Sequence, residues 1–301
     1  MLSIIIVNWN VCDLLAKCLD SLGTQHEIIV IDSASTDGSV ALMRDRYPHV
    51  RLLVQTENIG FSKGNNLGLA AASGDYLMLL NPDTEIIGDA LDRMVAYLDA
   101  HPDVGIVGPH TLNTDGSHQS TRRRFPSLIT GFFESTWFES FAPRTLLDRY
   151  TVRDVPDDAI ADVDWVQGSA LMARRAVYAQ IGGLDERFIM YSEEMDWCRR
   201  ARNAGWRVVY LGDARITHHG GKSSEQVTAR KHILFQQSKL YYFNKHHGAL
   251  AAFALRLVLI ANYLVQITLE GGKALLKHKA DMRRQRIEVY WQVLRSLCVS
   301  G

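Results

Sequence analysis

Tyr76-Leu77-Met78-Leu79-Leu80-Asn81-Pro82-Asp83-Thr84 reads as a short apolar strand that runs out into a carboxylate. An unbroken apolar run of this length, closed by turn residues, fits a strand buried on both faces. Open α/β sheets bind ligands at strand ends of this kind. Asp83, with Asn81 two residues before it, offers oxygen ligands to a divalent cation there. Asn, Pro and Asp are also ordinary turn formers, so this stretch alone leaves a turn and a site both open.

Short apolar runs and helical patterns alternate outward from it. Residues 3–9, 27–32, 50–55 and 104–107 are predicted strands, and 14–22, 39–47, 63–72 and 90–100 predicted helices. This rhythm predicts an α/β fold: a Rossmann-like, mainly parallel sheet with helices on both faces. From 110 to 164 the rhythm breaks into a polar, then basic, then aromatic stretch, the kind of long irregular insertion that is usually functional or mobile. Residues 165–174 look like a strand again, 192–204 like a helix stopped by Gly205, and 207–211 and 214–218 like two short strands.

Past Ser224 the character changes. Residues 227–247 are helical, and 249–269 are largely apolar but carry Arg256, Asn262 and Gln266. A basic stretch with Lys273, Lys277, Lys279, Arg283, Arg284 and Arg286 follows. The expected division is a sheet domain over 1–224, with halves at 1–109 and 110–224, and a C-terminal helical extension over 225–301. The apolar segment is long enough to cross a bilayer, but its polar residues argue against a simple span. An interfacial helix beside basic residues fits a membrane surface; a dimerisation helix or one covering the core is the alternative.

The 301 residues have zero formal net charge, which gives no sign of a nucleic-acid partner. The cysteines, Cys12, Cys18, Cys198 and Cys298, form no C-x-x-C pair, so a reduced, cytoplasmic setting is expected. Met1-Leu2-Ser3 enters a strand directly, without a secretory-signal pattern.

Four further constellations carry polar chemistry. Asp32 ends a predicted strand and could accept a base or ribose hydrogen bond, whereas Asp37-Gly38 reads as a turn or helix start. The segment from Glu57 to Gly68, with Asn58, Gly60 and Asn65, opens a helix whose glycines permit close backbone approach and whose N-terminus favours phosphate. It spells neither the P-loop nor the dinucleotide fingerprint. Ser192-Glu193-Glu194-Met195-Asp196 crowds three carboxylates at a helix start. Ser192 can cap that helix and the acids suit its first turn, yet crowding can also raise one carboxyl toward a general base. His218-His219-Gly220-Gly221 sets paired imidazoles at a strand end, where one can ligate a metal.

Taken in order with Ile5-Ile6-Val7-Asn8-Trp9-Asn10 and Gly182-Gly183-Leu184-Asp185, these stretches give a specific set spanning residues 3–223. The chain resembles inverting family 2 glycosyltransferases of the GT-A fold, and is most similar to their bacterial rhamnosyltransferase-type branch. The resemblance implies a nucleotide-sugar lying over the first four strands, against Val7, Asn8, Asp32, Asn58, Gly60, Asn65, Asn81 and Asp83. Asp32 would bind the pyrimidine, and Asn65 falls where many relatives carry an Arg. Asn81-Pro82-Asp83 corresponds to the family's D-x-D motif with its first Asp replaced. Asp83 would be the main ligand of Mg²⁺ or Mn²⁺, His218 a second through an H-x-G-G-x-S spacing, and His219 the fallback. Glu194 aligns with the catalytic base, with Asp196 and Glu193 as alternatives. No Q-x-x-R-W segment follows, which favours transfer of a single sugar.

The implied donor is a dTDP- or UDP-sugar, dTDP-rhamnose above all. The implied acceptor is a saccharide or a polyprenyl-diphosphate-linked saccharide in cell-surface polysaccharide synthesis. Arg122, Arg123 and Arg124, with Trp165, are candidates for the acceptor diphosphate, a solvated basic loop being the plain reading of the arginines. Phe132, Phe133 and Trp137 either touch lipid or pack on the sheet. The enzyme would be peripheral on the cytosolic face of the bacterial inner membrane and possibly a homodimer. A sugar-phosphate nucleotidyltransferase and a degenerate nucleotide-sugar-binding protein are the alternatives.

Overall fold

Alternating burial decides the first strand. In β1 (Leu2–Asn8), Ile4 and Ile6 join one apolar cluster and Ile5 the other, all with no exposed surface. A strand sends successive side chains to opposite faces, so β1 is covered on both sides. Each buried isoleucine contributes about 1.5–3 kcal/mol. The structure is a computed structural model describing residues 1–220, 228–276 and 279–299. Gly221, Lys222 and Ser223 of the histidine motif, and Lys277, lie outside the described residues.

The first half is α1 (Cys12–Leu22), β2 (Glu27–Asp32), α2 (Ser39–Arg46), β3 (Arg51–Val54), α3 (Phe61–Ala71), β4 (Tyr76–Leu80), β5 (Thr84–Ile86) and α4 (Ala90–Ala100). Then come β6 (Val104–Leu112), β7 (His118–Gln119), β8 (Arg122–Arg123), α5 (Leu128–Phe133), a 3₁₀ turn (Trp137–Phe141) and α6 (Arg144–Tyr150). Next are β9 (Ile160–Val163), β10 (Trp165–Val166), β11 (Ala170–Arg174), α7 (Arg175–Ile181), α8 (Glu193–Asn203) and β12 (Arg207–His218). Three helices close the chain: α9 (Thr228–His247), α10 (Ala249–Leu275) and α11 (Ala280–Val299).

The main sheet runs β3-β2-β1-β4-β11-β6-β12-β5. Its first four strands are parallel; β11 lies antiparallel between β4 and β6, and β12 is parallel to β6. α1 and α4 pack on one face and α3, α7 and α8 on the other. The expected fold class holds: an α/β sheet, parallel in its first half, with helices on both faces and a C-terminal helical region.

Three expectations change. β6 continues to Leu112 and returns through a hairpin to β7, so the break expected at 110 is a continuation of the sheet. The two strands expected at 207–211 and 214–218 are one strand with a register shift between Leu211 and Arg215. The compact units are also drawn differently from a cut at 224. One holds Met1–Phe125, Thr151–Ile189 and the described residues from Glu193 to Gly220. The other holds Pro126–Tyr150, Met190–Ser192 and the described residues from 228 onward.

Within the second unit, α5 and the 3₁₀ turn pack on the C-terminal helices. Phe243 lies against Gly131, where any β-carbon would collide with its ring. Asn262, buried in α10, accepts the Trp137 N–H at 2.8 Å. Lys239 binds Glu134 at 2.9 Å, and Arg283 pairs with Glu270 across α10 and α11. Phe132 and Phe133 are half-buried in an aromatic cluster with Phe138.

Candidate active site

The tail of β12 brings His218 to Asp83. β5 begins directly after Asp83 and pairs antiparallel with β12, placing Thr84 opposite His218. His218 Nε2 then lies 3.2 Å from an Asp83 carboxylate oxygen and 3.4 Å from Asn81 Nδ2. Both Asp83 and His218 are nearly buried. His219 turns away: its N–H donates to Asp83 O, while its ring meets Glu85 at 2.6 Å. Of the two histidines, His218 is therefore the one presented to Asp83. Its Nδ1 meets Gln119 Oε1 at 2.7 Å. Gln119 was not among the expected residues; the Asp115-Gly116 pair between two short strands is the hairpin signal that would have found it.

Asn8 and Asp32 end neighbouring parallel strands in register. Asn8 Nδ2 donates to Asp32 Oδ2 at 2.9 Å, and Ser35 N donates to Asp32 Oδ1 at 2.9 Å. Asp32 thus holds its own loop, and Asn8 Oδ1 is left buried without a partner. Asn58 forms a turn by accepting the Gly60 N–H, and Asn65 folds its amide back onto Phe61 O. The glycines of α3 serve packing. A β-carbon at Gly64 would sit 2.9 Å from Val7, and one at Gly68 would run into Ile5. At the helix start expected to favour phosphate, the first N–H is used within the chain, from Phe61 to Ile189 O, and Ser62 Oγ donates to Phe188 O.

The three carboxylates of α8 are sorted by their surroundings. Ser192, expected as the cap, has φ 66°, outside the usual N-cap conformation, and Tyr191 before it has φ 71°. Asp196 is buried and bound at 2.8 Å by Arg200, which also donates to Ile181 O and Gly183 O. That pair pins α8 to the preceding loop. Glu193 is buried; burial, then the charge of Glu194, pushes its carboxyl well above the usual carboxylate range. Glu194 is half-buried, and its Oε2 is buried without a hydrogen-bond partner. Burial raises its carboxyl too, against the lowering effect of N–H groups from Glu194 itself, Gly168 and Met195. Gly168 adjoins Ser169, whose carbonyl accepts the Asn81 N–H at 2.9 Å. A short stretch before β11 therefore links Glu194 to the Asn81–Asp83 loop.

Arg122 does not join an acceptor patch. Its guanidinium is buried 4.6 Å over the Tyr210 ring, donates to Val152 O and Val155 O, and pairs with Asp157 at 2.8 Å. Arg123 donates to Ser120 Oγ, Arg124 lies 3.9 Å from Asp164, and the Trp165 indole donates to Arg124 O.

The family described as Glycosyl transferase family 2 matches residues 3–160. The chain belongs to that family. It is 31% identical over 284 residues, 88% of each chain, to an N-acetylglucosaminyl-diphospho-decaprenol L-rhamnosyltransferase of Mycobacterium tuberculosis. It is 26% identical to the rhamnosyltransferase WbbL of Escherichia coli, covering 77% of this chain and 90% of that one. Among solved structures, the mannosyltransferase PcManGT from Pyrobaculum calidifontis, in complex with GDP-Man and Mn²⁺, aligns over 99% of this chain and 86% of its own. The TM-score is 0.57 at 18% identity, a likeness of fold. S. aureus TarS 1-349 aligns over 100% and 92%, with a TM-score of 0.51 at 17% identity.

This family 2 glycosyltransferase has a donor set that fits a divalent cation. Among the described residues no three His, Cys, Asp or Glu side chains gather. Asp83 and His218 supply two ligands of that kind, and the Asn81 Oδ1 is buried without a hydrogen-bond partner. Carboxylate, amide oxygen and imidazole are the donor types that suit Mg²⁺ and Mn²⁺ sites completed by substrate phosphates.

Proposed function

We propose that the chain is a metal-dependent, inverting transferase that moves one rhamnose from dTDP-rhamnose to a polyprenyl-diphosphate-linked saccharide in cell-surface polysaccharide synthesis. The observation that carries this reading is the meeting of Asp83, Asn81 and His218 at the ends of β4 and β12, with Glu194 linked to them through residues 168 and 169. The relatives that share most of their length with the chain are named as rhamnosyltransferases, one with a lipid-diphosphate-linked sugar in its name.

Asp83, Asn81 and His218 would hold Mg²⁺ or Mn²⁺. When bound, the cation would neutralise charge on the diphosphate leaving group. Asn8 and Asp32, at the ends of β1 and β2, lie where the nucleoside of a strand-end ligand would sit. Glu194, raised in pKa and with an unpartnered Oε2, accepts the proton of the acceptor hydroxyl. The hydroxyl oxygen bonds to the anomeric carbon as the bond from that carbon to the diphosphate breaks. Nucleoside diphosphate leaves on the opposite face, so configuration inverts. Glu193 and Asp196 are poorer bases, the first sealed from solvent and the second tied to Arg200.

The second unit would rest on the cytosolic face of the inner membrane. Support comes from α10, which meets the length and hydropathy of a membrane span, mean hydropathy 1.9 over its most apolar window. Its inner face carries Leu255, Leu259, Asn262 and Tyr263, whereas Leu250, Phe253, Leu257 and Leu264 face outward and exposed. Lys273, Lys279, Arg284 and Arg286 are exposed near its far end, which suits anionic lipid. Arg283 belongs to the internal pair with Glu270 and adds nothing to that basic surface.

Thermal unfolding with Mn²⁺ and dTDP, UDP or GDP tests the donor reading. A metal-dependent rise in Tm is expected, largest with dTDP and absent in Asp83→Ala. No rise with any nucleotide, or an equal rise in Asp83→Ala, would overturn it.

A further inference from the structure

We infer that Gln119 is a positioning residue that fixes the tautomer of His218, holding its Nε2 lone pair toward Asp83. The inference rests on the reading of His218 as a metal ligand, and its geometry comes from a hydrogen-bond chain whose direction is set at one end.

That end is Asp115, in the hairpin between β6 and β7, where Gly116 takes φ 80°. Hydrogen bonds from Ser117 hold the Asp115 carboxyl below its ordinary range, so it is ionised and can only accept. Ser117 Oγ stands 2.6 Å from Asp115 Oδ1, and the proton between them must come from the serine. The serine oxygen therefore faces Asn113 as an acceptor, and Asn113 Nδ2 donates to it at 2.9 Å. This orients the Asn113 amide, whose Oδ1 accepts from Gln119 Nε2 at 2.9 Å. Gln119 in turn presents Oε1 to His218 Nδ1 at 2.7 Å, a contact that requires the proton on Nδ1. The lone pair then lies on Nε2, the nitrogen 3.2 Å from the Asp83 carboxylate and 3.4 Å from the Asn81 amide nitrogen, which can only donate. In the neutral ring an imidazole lone pair and a carboxylate oxygen would face each other across that distance, an arrangement that the proposed cation would satisfy.

Backbone pairing keeps the chain in place. Gln119 is opposite Thr111 and His118 opposite Leu112 in the β6–β7 ladder, while β12 pairs with β6 at Thr111 and Leu112 through Ile216 and Thr217. The hairpin and the histidine strand are thus both registered on the same two residues of β6. Groups that hydrogen-bond the other ring nitrogen of a metal-bound histidine commonly act this way, and their loss typically costs 10–100-fold in metal affinity.

Two readouts on the full chain test the inference. The first is long-range ¹H–¹⁵N NMR of the histidine-labelled, metal-free protein at alkaline pH. Wild type should show His218 as the Nδ1–H tautomer, and Gln119→Leu should release it toward Nε2–H. A wild-type His218 carrying its proton on Nε2, or a tautomer untouched in Gln119→Leu, overturns the inference. The second is Mn²⁺ affinity in the presence of dTDP, by calorimetry. Gln119→Leu should weaken it 10–100-fold, and Gln119→Glu, which keeps an acceptor for Nδ1–H, should retain it and covers the case in which the leucine variant misfolds. Gln119→Leu should add no loss in a His218→Ala background; an undiminished additional loss there assigns Gln119 a role outside His218 and overturns the inference. Unchanged Mn²⁺ affinity in His218→Ala sinks the ligand reading instead, and the NMR result separates the two failures.

Discussion

Glu193 and Glu194 stand side by side at the start of one helix, and the environment gives them different tasks. Glu193 is sealed and its carboxyl is raised, so the folded state binds its proton more tightly than the unfolded chain does. The stabilisation that comes with that proton is complete below the ordinary carboxylate pKa and is lost as pH rises through the raised one. Glu193→Gln should therefore be more stable than wild type at neutral pH. The gap should close in acid; urea unfolding across pH checks this, and a gap that widens in acid refutes it. Glu194 is asked to take a proton during transfer. Glu194→Gln should bind donor as wild type does while transfer falls about 10²–10⁴-fold. Since burial raises its carboxyl, wild-type transfer should begin to fail on acidification at a pH above that of an ordinary glutamate. Product assays across pH read both effects, and wild-type turnover by the glutamine variant would remove Glu194 from the role.

At the scale of elements, strands and helices of the first hundred residues were legible because burial writes a period into the sequence. Ile4, Ile5 and Ile6 can only belong to a strand covered twice, and Leu15, Cys18, Leu19 and Leu22 follow the helical spacing of one buried face. What escaped were choices made by pairing. Gly212 and Asp213 resemble a turn, but β12 runs through them because β6 pairs with it on both sides of the irregularity, joined by β9 before it and β5 after it. Of the site, Asp83 and His218 were readable as types at strand ends. Gln119 was not, since its meaning arises from a partner 99 residues away. Arg122 shows the converse: three consecutive arginines look like a basic patch, yet one is buried over Tyr210 and bound to carbonyls. The glycines of α3 were read as an approach for phosphate, and they serve the approach of the helix to the sheet. Gly68→Ala should cost about 1–3 kcal/mol by overpacking against Ile5, despite the better helix propensity of alanine. A denaturation midpoint equal to or above wild type would contradict that packing role.

At the scale of the whole molecule, the second unit draws on three separate stretches of chain. Its α10 is apolar on both faces, with Leu255, Leu259 and Tyr263 buried beside Asn262 and Leu250, Phe253, Leu257 and Leu264 exposed. Leu257→Glu with Leu264→Glu should leave the fold intact, because both side chains are exposed, and should strongly reduce flotation on anionic vesicles. Undiminished flotation would remove this face as the anchor; a vesicle-independent change in oligomer size would assign it to a second copy of the chain. The pairing of β5 with the end of β12 also has a temporal side. Asn81 and His218 are 137 residues apart in sequence. On the ribosome, β1 to β4 can join and bury their core well before β12 has been synthesised, but the loop at Asp83 then has one wall only. Contacts that close so long a loop form late compared with local ones. With the proposed Asp83–His218 metal site, a half-made chain would lack one of its two side-chain walls, and ligand affinity would arrive with the last strand, as a certificate that synthesis of the sheet is finished.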